Sequence, residues 1–161
     1  MLSEILHRSV STTNGHAYWF LDSLNVVLAT SESTGGAYSL VHHTAPAGHA
    51  TPYHLHHDED EAFFVLDGEF TFICGGKKTV LGPGEYIFLP RNSPHGIRCT
   101  GATRSTMLIL AMPGTGFVGM MTEMATPAEQ RTLPIPTAPD LERLTMLCAK
   151  FKIDILGPLP K

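Results

Sequence analysis

The segment GHATPYHLHHDEDEAFFVLDG, residues 48–68, brings histidines and carboxylates into close succession. His54 and His56 are two residues apart in it, and Glu61 follows five residues after His56. Side chains two residues apart in a β-strand point to the same face and lie about 7 Å apart along the strand. The two imidazoles can therefore bind one ion, and we predict that they do.

The register of Glu61 depends on the residues in front of it, because a five-residue offset would turn it away from His56 on a continuous strand. Residues 57–60 form a polar run, His-Asp-Glu-Asp, which predicts a solvated turn between two strands. One of these side chains could hydrogen-bond an imidazole ligand. Glu61 can then open the next strand on the same inner face as Phe63 and Val65. Two histidines and one carboxylate are the ligand set of non-haem iron oxygenases.

A third histidine, His95, lies in GEYIFLPRNSPHGIRC, residues 84–99, after a predicted strand and a proline-containing turn. From that position its side chain can reach the same interior. Three histidines and one glutamate would leave about two positions of an octahedral ion for exchangeable ligands. The predicted metal site therefore consists of His54, His56, Glu61 and His95.

The other histidines are predicted to lie outside this site. Six of the nine histidines in the chain fall within residues 42–57, and histidine is the commonest metal ligand. His42 and His43 would point to opposite faces of a strand, so at most one of them faces inward, and we place neither in the site. His49 is interpreted as a loop residue.

The surrounding sequence predicts an all-β domain. Between residues 18 and 113, short strands separated by turns recur roughly every ten residues, which is typical of antiparallel sandwiches and barrels. Asp67-Gly68 is a strong hairpin signal, and alternation places Phe70 and Phe72 on one buried face. The predicted strands are residues 25–30, 38–43, 61–66, 69–74, 78–81, 85–89, 96–100 and 104–112.

The pattern changes after Pro113. Residues 126–129, Thr-Pro-Ala-Glu, have the features of a helix start. Residues 137–140 repeat the signal before LERLTMLCAKF, where Leu141, Leu144, Cys148 and Phe151 share one helical stripe. We expect one domain over residues 1–161, with a barrel at about 17–113 and a C-terminal helical extension at about 114–161. The first dozen residues could form a short helix or an arm on a partner subunit.

Composition excludes several classes of function. The chain has 161 residues, a formal net charge of −4 and 43% hydrophobic residues, and a pI near 6.1, so neither disorder nor nucleic-acid binding is expected. The longest apolar run, residues 107–112, is too short to cross a membrane, and Glu4 interrupts any secretory signal. The three cysteines form no CxxC pair, which favours free thiols in the cytoplasm.

The sequence also resembles a known family. Gly48, His54, His56, Glu61 and Gly68 reproduce the first cupin motif, G-x5-H-x-H-x4-E-x6-G. The second motif, G-x5-P-x-G-x2-H-x3-N, is met at Gly84, Pro90 and His95 and departs at Asn92 and Cys99. Asn tolerates a left-handed turn in place of glycine, and position 99 is not a ligand position in the family. The resemblance implies a cupin double-stranded β-helix, or jelly-roll barrel.

Further similarities extend over nearly the whole chain, from residues 19–22 and 34–40 to the tail at 139–144 and 155–158. They resemble the single-domain bacterial cupins labelled quercetin 2,3-dioxygenase-like. That resemblance implies O2-dependent ring cleavage of a flavonol or a similar enol-bearing aromatic, with the substrate hydroxyl bound to the metal as its anion. It also implies that Glu61 is the general base, that one divalent ion (Fe, Ni, Co, Mn or Cu, with Zn possible) is bound, and that the protein is a homodimer.

Two other functions stay open. The same site could serve an O2-independent lyase or isomerase that uses Zn or Mn as a Lewis acid, or a binding module that holds a small molecule without catalysis. An apolar inner face suits a hydrophobic or aromatic ligand better than a sugar phosphate, since a phosphate would require a fixed Arg or Lys near the metal.

Overall fold

The computed structural model describes residues 8–161. Its helices within that range are α1 (Phe117–Met124) and α2 (Leu141–Lys150), with a short 3-10 turn at Glu32–Thr34. Neither helix is long and apolar enough to span a lipid bilayer. The strands are β1 (His16–Phe20), β2 (Ser23–Ala29), β3 (Ser39–Ala45), β4 (Tyr53–His56), β5 (Asp60–Asp67), β6 (Phe70–Cys74), β7 (Lys77–Leu81), β8 (Tyr86–Leu89), β9 (His95–Cys99), β10 (Ser105–Met112), β11 (Thr126–Pro127) and β12 (Ile153–Gly157).

The strands form two antiparallel sheets that enclose one core. The larger sheet has the order β11-β1-β2-β3-β10-β5-β8, and the smaller has the order β12-β4-β9-β6-β7. Phe63 of the larger sheet meets Phe72 of the smaller one with ring centroids 5.1 Å apart, and both side chains are buried. The predicted all-β jelly roll with a C-terminal helix is confirmed. Edge strand β8 leaves two of its aromatic side chains, Tyr86 and Phe88, 60% and 46% exposed.

Two turns show why the local sequence takes its observed form. Gly68 has a φ of +76°, and a Cβ there would lie 2.6 Å from the Cβ of Ser105, so this turn requires glycine. Asn92 has a φ of +62°, which agrees with the prediction that asparagine takes the left-handed conformation there.

The second predicted helix of the C-terminal segment is confirmed. Helix α2 begins after Asp140, whose side chain accepts a hydrogen bond from the Arg143 backbone N–H at 3.0 Å. Leu144 and Cys148 are buried as the stripe predicted, whereas Leu141 in the first turn is 60% exposed. The helix packs against β12 and α1.

The helix start predicted at residues 126–129 is wrong. Thr126 and Pro127 pair with Trp19 and Tyr18 of β1, and the next residue donates its N–H to Ala17 at 2.9 Å. These backbone groups complete the edge of the larger sheet, which outweighs the local helix signal. The helix lies earlier, at α1. Of the N-terminal prediction, residues 1–7 lie outside the described residues, and residues 8–12 form no helix.

Candidate metal centre

The four predicted ligands converge at one point between the sheets. His54 and His56 come from β4, His95 from the adjacent strand β9, and Glu61 from β5 in the opposite sheet. One potential ligand atom from each side chain lies within 4.8 Å of all the others. His54 and His95 are register partners, so strand pairing itself brings two of the imidazoles together.

One hydrogen bond and a second close polar contact hold Glu61 at the centre of the group. Its Oε2 atom lies 2.9 Å from Nε2 of His95 and 3.3 Å from Nε2 of His56. The His54 ring centroid is 4.5 Å from that of His95. Glu61, His56 and His95 are buried, which keeps bulk water from competing for these atoms.

The outer nitrogens of two imidazoles are fixed by backbone carbonyls. His54 donates Nδ1–H to the Pro52 carbonyl at 2.7 Å, and His95 donates Nδ1–H to the Ser93 carbonyl at 2.9 Å. Each ring thus turns Nε2 toward the centre, as a ligand histidine does. Three imidazole nitrogens and a carboxylate are donors that borderline transition metals accept. The group could therefore hold one divalent metal ion.

The charges of the group suit the same role. Burial, helped by repulsion from His95 and His56, lowers the pKa of His54 to about 3, and burial also lowers the pKa of His56. Burial opposes ionisation of Glu61, but the neighbouring imidazoles outweigh it and hold the pKa of Glu61 at about 2. Burial likewise opposes protonation of His95, yet Glu61 raises its pKa. Neutral His54 and His56 and an ionised Glu61 are the ligating forms.

The polar run in front of Glu61 is not uniformly solvated, so that prediction is wrong for Glu59. Glu59 is only 3% exposed, and its carboxylate accepts hydrogen bonds from the backbone N–H groups of Gly116 at 2.6 Å and Phe117 at 3.1 Å. Burial and the charge of Glu61 raise the pKa of Glu59 to about 7. The side chain caps α1 and ties it to the metal-centre loop. His56 Nδ1, 3.9 Å from Glu59, has no hydrogen-bond partner within residues 8–161.

A mostly apolar cavity opens onto the centre. It is bounded by Phe63, Met107, Ile109, Phe117, Met120 and Ile153 and also by three of the predicted ligands, His54, His56 and Glu61. The expectation of an apolar pocket above the metal group is consistent with these walls.

The sequence reasoning missed two histidines that line this cavity, His43 and His49. Both are buried. Alternation along β3 allowed one inward histidine, and the structure shows that it is His43. His49 carried no such signal, because its position depends on a loop that bonds to a distant strand.

Comparison with known proteins gives one family match and partial similarity to several relatives. The cupin domain family model matches residues 41–111. The chain is 33% identical to quercetin 2,3-dioxygenase of Bacillus subtilis over 84 residues, 52% of this chain and 25% of that protein. It is 43% identical to the dimethylsulfoniopropionate lyase DddQ of Ruegeria pomeroyi over 54 residues, 33% of this chain and 26% of that protein. The chain thus spans about a quarter of the length of either relative.

Solved structures agree with the fold. A predicted oxalate decarboxylase of Thermotoga maritima superposes with a TM-score of 0.60 at 20% identity, over 65% of this chain and 98% of that one. The polyketide cyclase RemF of Streptomyces resistomycificus superposes with a TM-score of 0.59 at 19% identity, over 91% of this chain and 99% of that one. The cupin domain match at residues 41–111 and the two-sheet architecture, together with these likenesses of fold, support the assignment of the chain to the cupin superfamily.

Proposed function

We propose that the protein is a metal-dependent dioxygenase that cleaves a flavonol or a similar enol-bearing aromatic ring with O2. The observation that carries the proposal is the group of three imidazoles and one carboxylate within 4.8 Å, facing an apolar cavity. The partial similarity to quercetin 2,3-dioxygenase supports the choice of substrate class. The cavity walls suit an aromatic ring.

In this proposal His54, His56, His95 and Glu61 hold the ion. A divalent Fe, Ni, Co, Mn, Cu or Zn ion would supply a Lewis-acid centre that stabilises the anion of the substrate hydroxyl. Glu61 is also the general base: one carboxylate oxygen takes the hydroxyl proton, and His95 keeps that oxygen in place at 2.9 Å. The backbone bonds from His54 and His95 keep both rings from rotating as substrate enters.

The apolar walls bind and orient the substrate. Phe63, Phe117 and Met120 can cover the faces of an aromatic ring and exclude water from its reacting edge. Only the edge that carries the hydroxyl then reaches the three predicted ligands that line the cavity, His54, His56 and Glu61. Away from the metal ligands, a charged or strongly hydrated group would lose solvation against these apolar walls without a fixed counter-charge.

Oxygen consumption tests the proposal directly. Protein reconstituted separately with Fe, Ni, Co, Mn, Cu and Zn is mixed with flavonols in an oxygen-electrode cell, beside Glu61→Gln and His95→Ala. We expect flavonol-dependent O2 uptake by the wild type with at least one metal. Glu61→Gln should retain its metal but lose turnover, and His95→Ala should have a lower metal content. Flavonol cleavage with any metal but without O2 uptake would contradict the proposal, as would full activity of Glu61→Gln.

A second candidate is an O2-independent lyase, which is favoured by the 43% identity to dimethylsulfoniopropionate lyase over 54 residues. It predicts turnover of dimethylsulfoniopropionate under argon with Zn or Mn. A cupin that only binds its ligand would show neither activity while still taking up one metal per chain. The three outcomes are distinguished in one experiment with and without oxygen.

The homodimer implied by the family resemblance is part of the proposal, and so is the cytoplasmic location. Sedimentation equilibrium tests the first. We expect twice the chain mass of 17.5 kDa, and a concentration-independent single-chain mass would contradict it.

A further inference from the structure

A second polar group lies in the wall of the cavity that contains the metal centre. His43 and His49 line this cavity together with Asn25 and Ser23. The ring centroids of the two histidines are 5.6 Å apart. These four side chains are buried, and none of them belongs to the proposed metal ligands.

Hydrogen bonds fix His43 in one orientation. His43 donates Nδ1–H to Oδ1 of Asn25 at 2.8 Å, Asn25 donates Nδ2–H to Oγ of Ser23 at 2.9 Å, and Ser23 donates to the Phe20 carbonyl at 2.7 Å. Burial, helped by His49 and His42, keeps the pKa of His43 well below its usual range. His43 is therefore a neutral wall residue whose one ring proton is held in the bond to Asn25.

His49 has a different partner. Its Nδ1 atom is hydrogen-bonded to the Asp22 carboxylate, and within residues 8–161 this is the one side chain bonded to the ring. Asp22 keeps Nδ1 protonated, which leaves the lone pair on Nε2. An imidazole oriented by a carboxylate and facing a substrate cavity is the arrangement that general acid–base catalysis uses.

The backbone around this pair is held firmly. Gly48 donates its N–H to the Cys99 carbonyl at 3.0 Å, and Cys99 donates its N–H to the His49 carbonyl at 2.8 Å. On the other side, Leu21 has a φ of +48°, a costly conformation for a bulky residue. That conformation makes the turn that places Asp22 opposite His49.

The pair spans the boundary between two cavities. Asp22 lines an outer cleft of about 620 Å³, whereas His49 lines the inner cavity. The Asp22 side chain is 34% exposed and that of His49 is 5% exposed. Both cavities share the wall residues Leu21, Thr51, Pro52, Leu144 and Ile155. The His49 ring therefore lies between the inner cavity and the solvent-facing cleft that Asp22 lines.

We propose that His49 is a second catalytic acid–base residue and that Asp22 is its positioning residue. The inference rests on the proposed function, in which a substrate fills the inner cavity. Nε2 of His49 accepts a proton from a second substrate hydroxyl, distinct from the one that Glu61 deprotonates, as that O–H bond breaks, and Asp22 stabilises the resulting imidazolium. The same N–H bond later breaks to return the proton to the product, so no electron pair or co-reactant is needed. Glu61 Oε2 already contacts His95 and His56, whereas no hydrogen bond from residues 8–161 engages Nε2 of His49.

Nitrogen NMR on histidine-labelled, metal-free protein at pH 7.5 tests the pair without activity. The His49 signal is assigned by its loss in His49→Gln. We expect the Nδ1–H form in the wild type and a shift toward the Nε2–H form in Asp22→Ala, because the acceptor that holds the proton on Nδ1 is lost. Asp154→Ala is the matched control, since Asp154 bonds Nε2 of the exposed His57 at 2.7 Å, and it should leave the His49 signal unchanged.

Kinetics on the metal-loaded enzyme give the second readout. Asp22→Asn and His49→Gln should lower kcat at least tenfold with KM within about twofold and unchanged metal content. Asp22→Glu should recover part of the loss. An Nε2–H form in the wild type, or wild-type kcat in His49→Gln, would overturn the inference. Absence of flavonol turnover in the wild type would contradict the proposed function instead. The NMR result would still show whether Asp22 keeps the proton on Nδ1 of His49.

Discussion

The clearest structural prediction concerns Gly68, which ends the first cupin motif. Its φ of +76° disfavours any side chain by about 1–2 kcal/mol. A Cβ at this position would also lie 2.6 Å from Cβ and 2.9 Å from Cα of Ser105, which adds about 1–3 kcal/mol of overpacking. Gly68→Ala should therefore lower the free energy of unfolding by about 2–5 kcal/mol.

The chain offers a matched control at the next hairpin. Gly75 has a φ of +55° and open space where a Cβ would be placed, so Gly75→Ala should cost only the conformational part, about 1–2 kcal/mol. Urea denaturation of both variants, followed by circular dichroism, measures the difference. If Gly68→Ala were no less stable than Gly75→Ala, the steric argument for this glycine would be refuted.

Other predictions follow from the residues next to Glu61. Glu59→Ala should lower the free energy of unfolding by about 2–4 kcal/mol in urea, because it leaves the N–H groups of Gly116 and Phe117 buried without an acceptor; a loss below about 0.5 kcal/mol would contradict its role as the α1 cap. Hydrogen bonds from Arg91 lower the pKa of Asp60 from 3.8 to about 2. This depressed pKa contributes stability above pH 3.8 that is lost as the pH falls through about 2. Arg91→Ala should make the melting temperature less dependent on pH between about pH 2 and 4. The effect should be modest because the ion pair is exposed. A melting temperature with the same pH dependence as the wild type would contradict the role of Arg91.

Much of the fold could be predicted because its signals are local. The hairpin at residues 67–68, the alternation in β6 and the cap of α2 each depend on residues within one element. The 126–129 segment failed for the opposite reason. Its sequence favours a helix start, but the free edge of β1 offers backbone partners that only the folded sheet provides.

The residues of the candidate site likewise fall into those that local sequence predicts and those that it does not. His54, His56, Glu61 and His95 could be placed together because strand period and motif spacing fix their faces. His49 could not, since its position follows from hydrogen bonds between its loop and Cys99, fifty residues later in the chain. Glu59 was likewise hidden, because the donors that it caps, Gly116 and Phe117, belong to a helix the sequence did not reveal.

Metal content is the most direct test of the central claim. The untagged protein is purified without chelators, reconstituted with each candidate ion and analysed for bound elements beside His54→Ala, with His57→Ala as the control for an exposed histidine of the same segment. We expect about one transition-metal ion per chain in the wild type and in His57→Ala, and loss of that ion in His54→Ala. No bound metal after reconstitution, or equal metal in His54→Ala, would contradict that claim.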